Sequence, residues 1–314
     1  MSTKHLLADE LQAIPDLMPA GNITDDNLAQ LREMSAARVE PGDPQARGVI
    51  REEIAVPGID GDPEVRCLLY KPVADGDNRA GYLHIHGGGY IIGSAEGSDP
   101  VNLMLCAELG IVIVSVEYRL APEHPIPAPL NDCYAGLAWL HENADALGVD
   151  RTRIGVGGES AGGGLAAALA IKARDAGEYA VCHQHLTYPM LDNLTGAAGQ
   201  ADDPLVGEFV WTRARNQYGW TSYLGDAPAV APQVPARVEN YAGLPDAWIF
   251  TASMDLFRDE NIAYAQRLME AEVAVEFVLY PRACHGFQMV PGTQLGKRFI
   301  ADHMAGLARG LGIE

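Results

Sequence analysis

Short runs of apolar, β-branched residues alternate along most of this chain with longer stretches whose apolar residues recur at helical spacing. Several runs are apolar without interruption, as in strands buried on both faces. The helical stretches are long enough to cover a sheet face. This alternation predicts an α/β fold, with a mostly parallel sheet, helices on both faces and right-handed crossovers. The expected strands are residues 81–85, 111–116, 154–157, 181–188, 247–251 and 275–280, and the expected helices are 130–147, 160–176, 260–271 and 294–311.

Three segments depart from this alternation. Residues 49–56 and 65–70 flank a Gly- and Asp-containing turn, which predicts a strand, a turn and a second strand. Residues 1–45 are polar with scattered apolar positions and predict short helices broken at Pro15, Pro19 and Gly21. Residues 191–238 combine a polar entry, an aromatic-rich stretch and a proline-rich loop. We therefore expect this last segment to be an insertion above the sheet.

The charge of the chain excludes several classes of partner. Its 314 residues carry 22 Lys and Arg against 42 Asp and Glu, a formal charge of −20. Nucleic acids and anionic membrane surfaces are bound through Lys and Arg, so neither is an expected partner. Hydrophobic residues make up 48 % of the chain, which excludes a disordered protein despite the charge.

The cysteines and the apolar runs indicate the cellular compartment of the protein. Five cysteines without CxxC spacing indicate free thiols in a reducing compartment. No run of 18 apolar residues and no secretory signal pattern is present. We expect a cytoplasmic protein with no stable membrane association.

Residues 158–162 (GESAG) join an expected strand to an expected helix. A serine in such a sharp turn has a strained backbone, and its neighbours two residues away must be small, as Gly158 and Gly162 are. The turn exposes the hydroxyl at the helix N-terminus, where the helix dipole favours negative charge. Ser160 is therefore a candidate nucleophile.

Residues 86–90 (HGGGY) directly follow the expected strand that ends at Ile85. Consecutive glycines at a strand end let backbone N–H groups turn toward one point with nothing blocking the approach. Ester hydrolysis needs such donors for the oxyanion, and each contributes about 3–4 kcal/mol to transition-state stabilisation. A flexible turn is the alternative interpretation.

A serine nucleophile needs a histidine base and a carboxylate that orients it. His285 follows the strand 275–280 through a short loop, and Asp255 follows the strand 247–251. The chain order serine, acid, histidine is the one that strand–serine–helix hydrolases use. Asp259 lies four residues further on, and a role at the start of the next helix suits it better.

The sequence gives weaker support to two other kinds of site, a nucleotide-binding loop and a metal site. Residues 155–160 lack the third glycine of a dinucleotide loop, and no GK[ST] follows them. The pairs His84/His86 and His183/His185 have metal-ligand spacing, but no third ligand stands at a suitable distance in the sequence. Neither a metal nor another cofactor is expected.

Five motifs in one order carry a resemblance to a known family. The chain resembles the hormone-sensitive-lipase-like (bacterial family IV) carboxylesterases of the α/β-hydrolase superfamily. Glu159 stands where that family more often has Asp. The matching stretches are residues 86–90 (HGGGY), 118–129 (YRLAPEHPIPAP), 158–163 (GESAGG), 255–260 (DLFRDE) and 285–287 (HGF).

The resemblance implies an α/β-hydrolase fold with a small helical cap. Residues 1–45 and 191–238 would form the cap, and residues 46–190 and 239–314 the catalytic domain. Some family members pair through the last strand of the sheet, so a homodimer through residues 275–280 is a further expectation.

The resemblance also implies the roles of the site residues. Ser160 is the nucleophile, His285 the base and Asp255 its orienting carboxylate. The N–H groups of Gly88, Gly89 and Ala161 form the oxyanion hole.

The resemblance specifies less about the other residues of the motifs and of the insertion. In the stretch 118–129, a structural role is preferred to a charged substrate site, with Arg119 and Glu123 satisfying each other or nearby backbone. Substrate-pocket residues are expected to be Tyr90 together with Trp211 and Tyr218, the last two on one helix face.

The implied activity is the hydrolysis of short-chain carboxylic esters through an acyl-serine intermediate. An amidase, an aryl-ester deacetylase or a lactonase would use the same three residues. A non-catalytic ligand receptor on this scaffold is a remote alternative, because such receptors lose the base and His285 is present. The charge of −20 further predicts a preference for neutral or cationic esters over anionic ones.

Overall fold

The computed structural model describes residues 2–17, 21–200 and 203–313. In this part of the chain eight strands form one sheet in the order β1-β2-β4-β3-β5-β6-β7-β8. Strand β2 is antiparallel to both of its neighbours, and all other pairs are parallel. The strands are β1 (Val49–Val56), β2 (Val65–Pro72), β3 (Arg79–Ile85), β4 (Val112–Val116), β5 (Val149–Glu159), β6 (His183–Thr187), β7 (Asp246–Ala252) and β8 (Val275–Tyr280).

Helices cover both faces of this sheet. Helices α4, α6 and α8 contribute to one core cluster, while α3 and α9 contribute to clusters on the other face. The helices are α1 (Ile14–Leu17), α2 (Asp25–Ala36), α3 (Asp99–Leu109), α4 (Ala128–Glu142), α5 (Ala144–Leu147), α6 (Ala161–Ala176), α7 (Arg213–Leu224), α8 (Arg258–Glu270) and α9 (Gln294–Gly310). Short 3₁₀ helices are Lys4–Leu6, Asp9–Leu11, Gln45–Arg47, Ala95–Ser98, Pro235–Arg237 and Phe287–Met289.

The α/β class and the parallel winding predicted from the sequence are confirmed. Each expected strand is present, although β5 is longer than expected and runs from Val149 to Glu159. Helix α3 was not expected. Its apolar residues do not form a clear stripe, and it buries Asp99 and Asn102 as well as leucines, so helical periodicity is weak there. No described helix is long and apolar enough to span a bilayer.

The N-terminal segment packs against the C-terminal half of the sheet. Leu7 and Leu11 are completely buried in the core cluster that holds Tyr280. The carboxylate of Glu10 accepts the backbone N–H of Gln294 at 2.6 Å and so caps the start of α9. Of the predicted helix breaks, Pro15 instead lies in the first turn of α1, where proline is tolerated; Pro19 lies outside the described residues.

The proline-rich stretch after β4 is held by ion pairs, but with other partners than expected. The guanidinium of Arg119 lies 2.7 Å from Asp132 and 3.0 Å from Asp62. Glu123 instead pairs with Arg32 of α2 at 2.6 Å. Arg119 also donates to the nearby backbone carbonyl of Ala128 at 3.5 Å, as one part of the prediction allowed. The expected pairing of Arg119 with Glu123 was wrong, because α2, which is remote in sequence, packs over this stretch and supplies Arg32 to Glu123.

Three buried histidines contact one another in a row, His183 and His185 on β6 and His303 on α9. His185 Nε2 lies 3.0 Å from His303 Nδ1, and His185 Nδ1 lies 3.4 Å from His183 Nε2. The His185 ring stacks on Trp248 with 4.3 Å between ring centroids. Burial lowers the pKa of His183 and of His303 to about 4, and it lowers the pKa of His185 well below its usual value.

This histidine chain predicts a loss of stability in mild acid. In the unfolded protein these side chains titrate near pH 6.5, so below that pH the unfolded state binds more protons than the folded state. The free energy of unfolding should therefore fall as the pH drops from 6.5 toward 4, by up to about 1.4 kcal/mol per pH unit for each histidine.

Urea unfolding of His303→Phe against wild type between pH 7 and 4.5 measures this contribution. The variant should show a shallower dependence of the unfolding free energy on pH, by about one proton. The same substitution at exposed His124 serves as the control and should leave the dependence unchanged. Equal slopes in wild type and His303→Phe would contradict the prediction.

Candidate active site

The turn between β5 and α6 forces Ser160 into an unusual backbone conformation. Its φ and ψ are 57° and −117°, a region that a residue with a side chain occupies only when its surroundings hold it there. A Cβ atom on Gly158 would lie 2.1 Å from the carbonyl oxygen of Ile85, and one on Gly162 would lie 2.0 Å from it. Only glycine fits at either position, so the sequence spacing has a steric cause.

Ser160 begins a chain of hydrogen bonds that passes through His285 to Asp255. The Nε2 atom of His285 lies 3.1 Å from Ser160 Oγ, and its Nδ1 atom lies 2.8 Å from Asp255 Oδ2. Asp255 is completely buried, and its other carboxylate oxygen accepts the N–H of Phe257 at 2.9 Å. This arrangement can remove a proton from the hydroxyl and stabilise the imidazolium that results.

The sheet topology brings these three residues together. Ser160 follows β5, Asp255 follows β7 and His285 follows β8, and these strands are parallel neighbours separated only by β6. Because the carboxyl ends of parallel strands meet at one edge, residues 125 and 30 positions apart in sequence come within hydrogen-bond distance. Asp259, the other carboxylate considered, pairs with the adjacent Arg258 at 2.7 Å.

The glycines after β3 lie beside Ser160. Gly88 and Gly89 have φ values of 121° and 62°, which L side chains rarely adopt. A Cβ atom on Gly89 would lie 2.1 Å from the indole ring of Trp211. Ala161 is the first residue of α6, so its N–H needs no partner within the helix. The three N–H groups are thus available to an oxyanion near Ser160.

A cavity of about 350 Å³ opens above Ser160. Its wall is mainly apolar, and both α2 and the segment around α7 contribute to it. The lining residues are Ile23, Leu31, Met34, Ser35, Arg38, Gly87, Gly88, Gly89, Ile92, Glu159, Ser160, Tyr188, Val210, Trp211, Arg215, His285, Gly286 and Met289.

Of the three pocket residues expected from the sequence, the structure places only Trp211 in this lining. Tyr90 is buried below it, where its hydroxyl donates to the carbonyl of Met190 at 3.1 Å. The hydroxyl of Tyr218 donates to Asp25 of α2 at 2.7 Å. Trp211 precedes α7, so it does not share a helix face with Tyr218 as the spacing suggested. Here tertiary packing, rather than helical periodicity, selects the residue that faces the cavity.

Glu159 lies between Ser160 and the buried His84. Both of its carboxylate oxygens are 3.2 Å from Nε2 of His84. Burial acts to raise the pKa of Glu159, but the interactions with His84, together with smaller contributions from His303 and the backbone, lower the pKa below its usual value. His84 is thus engaged by a carboxylate. Among the described residues no group of three or more His, Cys, Asp or Glu side chains could hold a metal ion.

Several lining residues were not expected from the sequence. Tyr188, directly after β6, packs its ring 4.3 Å from that of His285, and its position at a strand end is a signal that sequence reasoning could have used. Met34 and Arg38 reach the cavity because of where α2 docks. No local pattern in the sequence indicates that docking.

The fold and the geometry around Ser160 define the class of protein. Residues 82–289 match the alpha/beta hydrolase fold family. The chain belongs to the hormone-sensitive-lipase-like carboxylesterases of this superfamily and is a carboxylic ester hydrolase.

Individual relatives extend over nearly the whole chain. Carboxylesterase NlhH of Mycobacterium tuberculosis is 34 % identical over 280 residues, which are 88 % of this chain and 86 % of that protein. A solved bacterial heroin esterase superposes with a TM-score of 0.89 at 37 % identity and covers 99 % of both chains. Esterase LipW from Mycobacterium marinum superposes with a TM-score of 0.85 at 31 % identity, covering 98 % of this chain and 97 % of its own.

The contact of Gly89 with Trp211 predicts a loss of activity in Gly89→Ala. The added methyl group would displace the indole or the loop that carries the oxyanion donors, so kcat for a soluble ester should fall by about 100-fold. Gly177→Ala is a matched control, because Gly177 also has a positive φ (68°) but nothing lies within 4 Å of its Cβ position.

Both variants should lose about 1 kcal/mol of stability through backbone strain, measured by urea unfolding. Only Gly89→Ala should lose activity. An equal loss of kcat in the two variants would show that strain alone, and not the site, is responsible.

Proposed function

We propose that Ser160 is the nucleophile of an esterase that acts on short-chain carboxylic esters, with His285 as its base and Asp255 as the orienting carboxylate. The observation that carries this proposal is the continuous hydrogen-bond chain from Ser160 Oγ to the buried Asp255, at 3.1 and 2.8 Å. Its outer end opens into the cavity.

The geometry supports a two-step acyl transfer. Ser160 Oγ bonds to the ester carbonyl carbon while its proton passes to Nε2 of His285. The carbonyl oxygen becomes an oxyanion among the N–H groups of Gly88, Gly89 and Ala161. The bond to the alkoxide then breaks, and His285 returns the proton to the leaving alcohol. Water repeats the sequence on the acyl-serine and releases the carboxylic acid.

The size of the cavity supports short acyl chains. At about 350 Å³ it lies at the lower end of the range for small-molecule sites. Trp211 closes one side against Gly89. We therefore infer acyl chains of about two to six carbons.

Aryl esters are a second candidate substrate class. The chain is similar to a bacterial heroin esterase, and it is 34 % identical to an arylesterase of Saccharolobus solfataricus over 68 % of this chain and 69 % of that protein. The aromatic rings of Trp211 and Tyr188 in the lining suit a planar alcohol group.

We propose that residues 1–45 and 191–238 act together as a cap over a catalytic domain made of residues 46–190 and 239–314. The hydrogen bond between Tyr218 and Asp25 joins the two cap segments, and both contribute to the cavity wall. Residues 18–20 and 201–202 of this cap lie outside the described residues.

A panel of p-nitrophenyl esters from acetate to palmitate tests the function, with an anilide and a lactone added for the amidase and lactonase alternatives. We expect the highest kcat/KM between acetate and hexanoate. Ser160→Ala and Asp255→Asn should lose at least about 10³-fold in kcat.

Asp259→Asn is the matched control for Asp255→Asn and should keep most of the activity, since Asp259 is exposed and pairs with Arg258 at the protein surface. Ester turnover by Ser160→Ala equal to that of wild type would reject the proposal. Preferred hydrolysis of palmitate would reject the chain-length assignment alone.

We further propose a cytoplasmic homodimer that pairs through β8 and associates with neither nucleic acid nor membranes. Strand β8 is at the edge of the sheet, and Leu279 on it is exposed. All five cysteines are free, as suits a reducing compartment.

Light scattering tests the dimer. The expected mass is twice 33.6 kDa, and Leu279→Lys should shift it toward the single-chain mass. A single-chain mass for wild type at micromolar concentration would reject pairing through β8.

A further inference from the structure

The charged residues that line the catalytic cavity differ in proportion from those of the chain as a whole. Acidic residues outnumber Lys and Arg by 42 to 22 in the chain. In the cavity lining, two arginines, Arg38 and Arg215, stand against one carboxylate, Glu159. That carboxylate is engaged by His84 from below, at 3.2 Å. Arg38 therefore brings a positive charge to the edge of this cavity.

Arg38 follows the end of α2, and its side chain is exposed where the cavity meets solvent. No carboxylate lies within ion-pair distance of it among the described residues. Other arginines of this acidic chain do pair with carboxylates. Arg32, six residues earlier in the sequence, pairs with Glu123, and the partly buried Arg51 pairs with Asp99. The guanidinium of Arg38 is therefore available to a negatively charged group on a molecule that enters the cavity.

Arg215 approaches the same cavity from α7 and is held in place by backbone carbonyls. Its guanidinium donates to Val210 at 2.7 Å and to Gly21 at 2.9 Å. Burial lowers the pKa of Arg215, although a guanidinium remains charged at neutral pH. These hydrogen bonds fix the position of Arg215 in the wall that Arg38 borders.

We propose that the enzyme selects esters that carry a carboxylate at the end remote from the scissile bond, and that Arg38 binds this carboxylate. The inference rests on the proposed function, because it needs Ser160 to be the nucleophile. It reverses the preference that the net charge predicts, since a guanidinium at contact distance acts more strongly than surface charges screened beyond about 8 Å.

The probes are two p-nitrophenyl esters of the same shape that differ in charge. The glutarate monoester ends in a carboxylate three methylene groups from the ester carbonyl. The 5-methylhexanoate ester replaces that carboxylate by an isopropyl group and is its neutral counterpart. The ratio of their kcat/KM values measures recognition of the charge and cancels any general change in catalysis.

In Arg38→Gln we expect this anionic-to-neutral ratio to fall about fivefold, mainly through a higher KM for the glutarate ester. Any change in kcat/KM that the two esters share cancels in this ratio. Arg38→Lys should keep most of the ratio, and molar NaCl should reduce the ratio in wild type but not in Arg38→Gln.

Arg47→Gln is the matched control. Arg47 is also exposed and its loss makes the same change in net charge, but it does not line the cavity. Its ratio should equal that of wild type. An unchanged ratio in Arg38→Gln, or an equal fall in Arg47→Gln, would overturn the proposal.

Failure of the proposed function gives a different result. In that case wild type would hydrolyse neither ester faster than Ser160→Ala does. If the neutral ester is turned over through Ser160 and the ratio does not depend on Arg38, only the inference about Arg38 fails.

Discussion

The close approach of three backbone segments around Ser160 is the constraint on which the site depends. The carbonyl oxygen of Ile85, at the end of β3, lies where a Cβ on either Gly158 or Gly162 would have to be. This close approach brings β3, β5 and α6 together around Ser160, whose φ is 57°. It also places the glycines that follow Ile85 beside Ser160, so the serine turn and the proposed oxyanion donors belong to one packing arrangement.

The buried carboxylates around the site each have hydrogen-bond partners that compensate for the loss of water. A buried carboxylate such as Asp255 is tolerated because the N–H of Phe257 and the ring of His285 satisfy its two oxygens. Glu159 is balanced in the same way by His84. The large acidic surplus therefore belongs to the surface, while the cavity wall carries its own separate set of charges.

Much of the fold could be predicted because the strands are short, apolar and regularly spaced. The motif residues were also predictable, since their chemistry requires particular residue types at strand ends. Contacts between distant segments were not. The pairing of Glu123 with Arg32 depends on where α2 docks, and the burial of Tyr90 depends on the helix that covers it. Local periodicity carries no information about either.

The sequence alone indicated the alternation of strands and helices, the glycine positions and the candidate reacting residues, because each follows from local sterics or from the chemistry of a side chain. The tertiary structure decided which wall residues face the cavity: Trp211 does, and Tyr218 does not. It also decided that Arg38 borders the cavity. The physical reason is that segments more than a hundred residues apart meet there, and their relative placement is set by packing across the whole molecule rather than by any stretch of the chain.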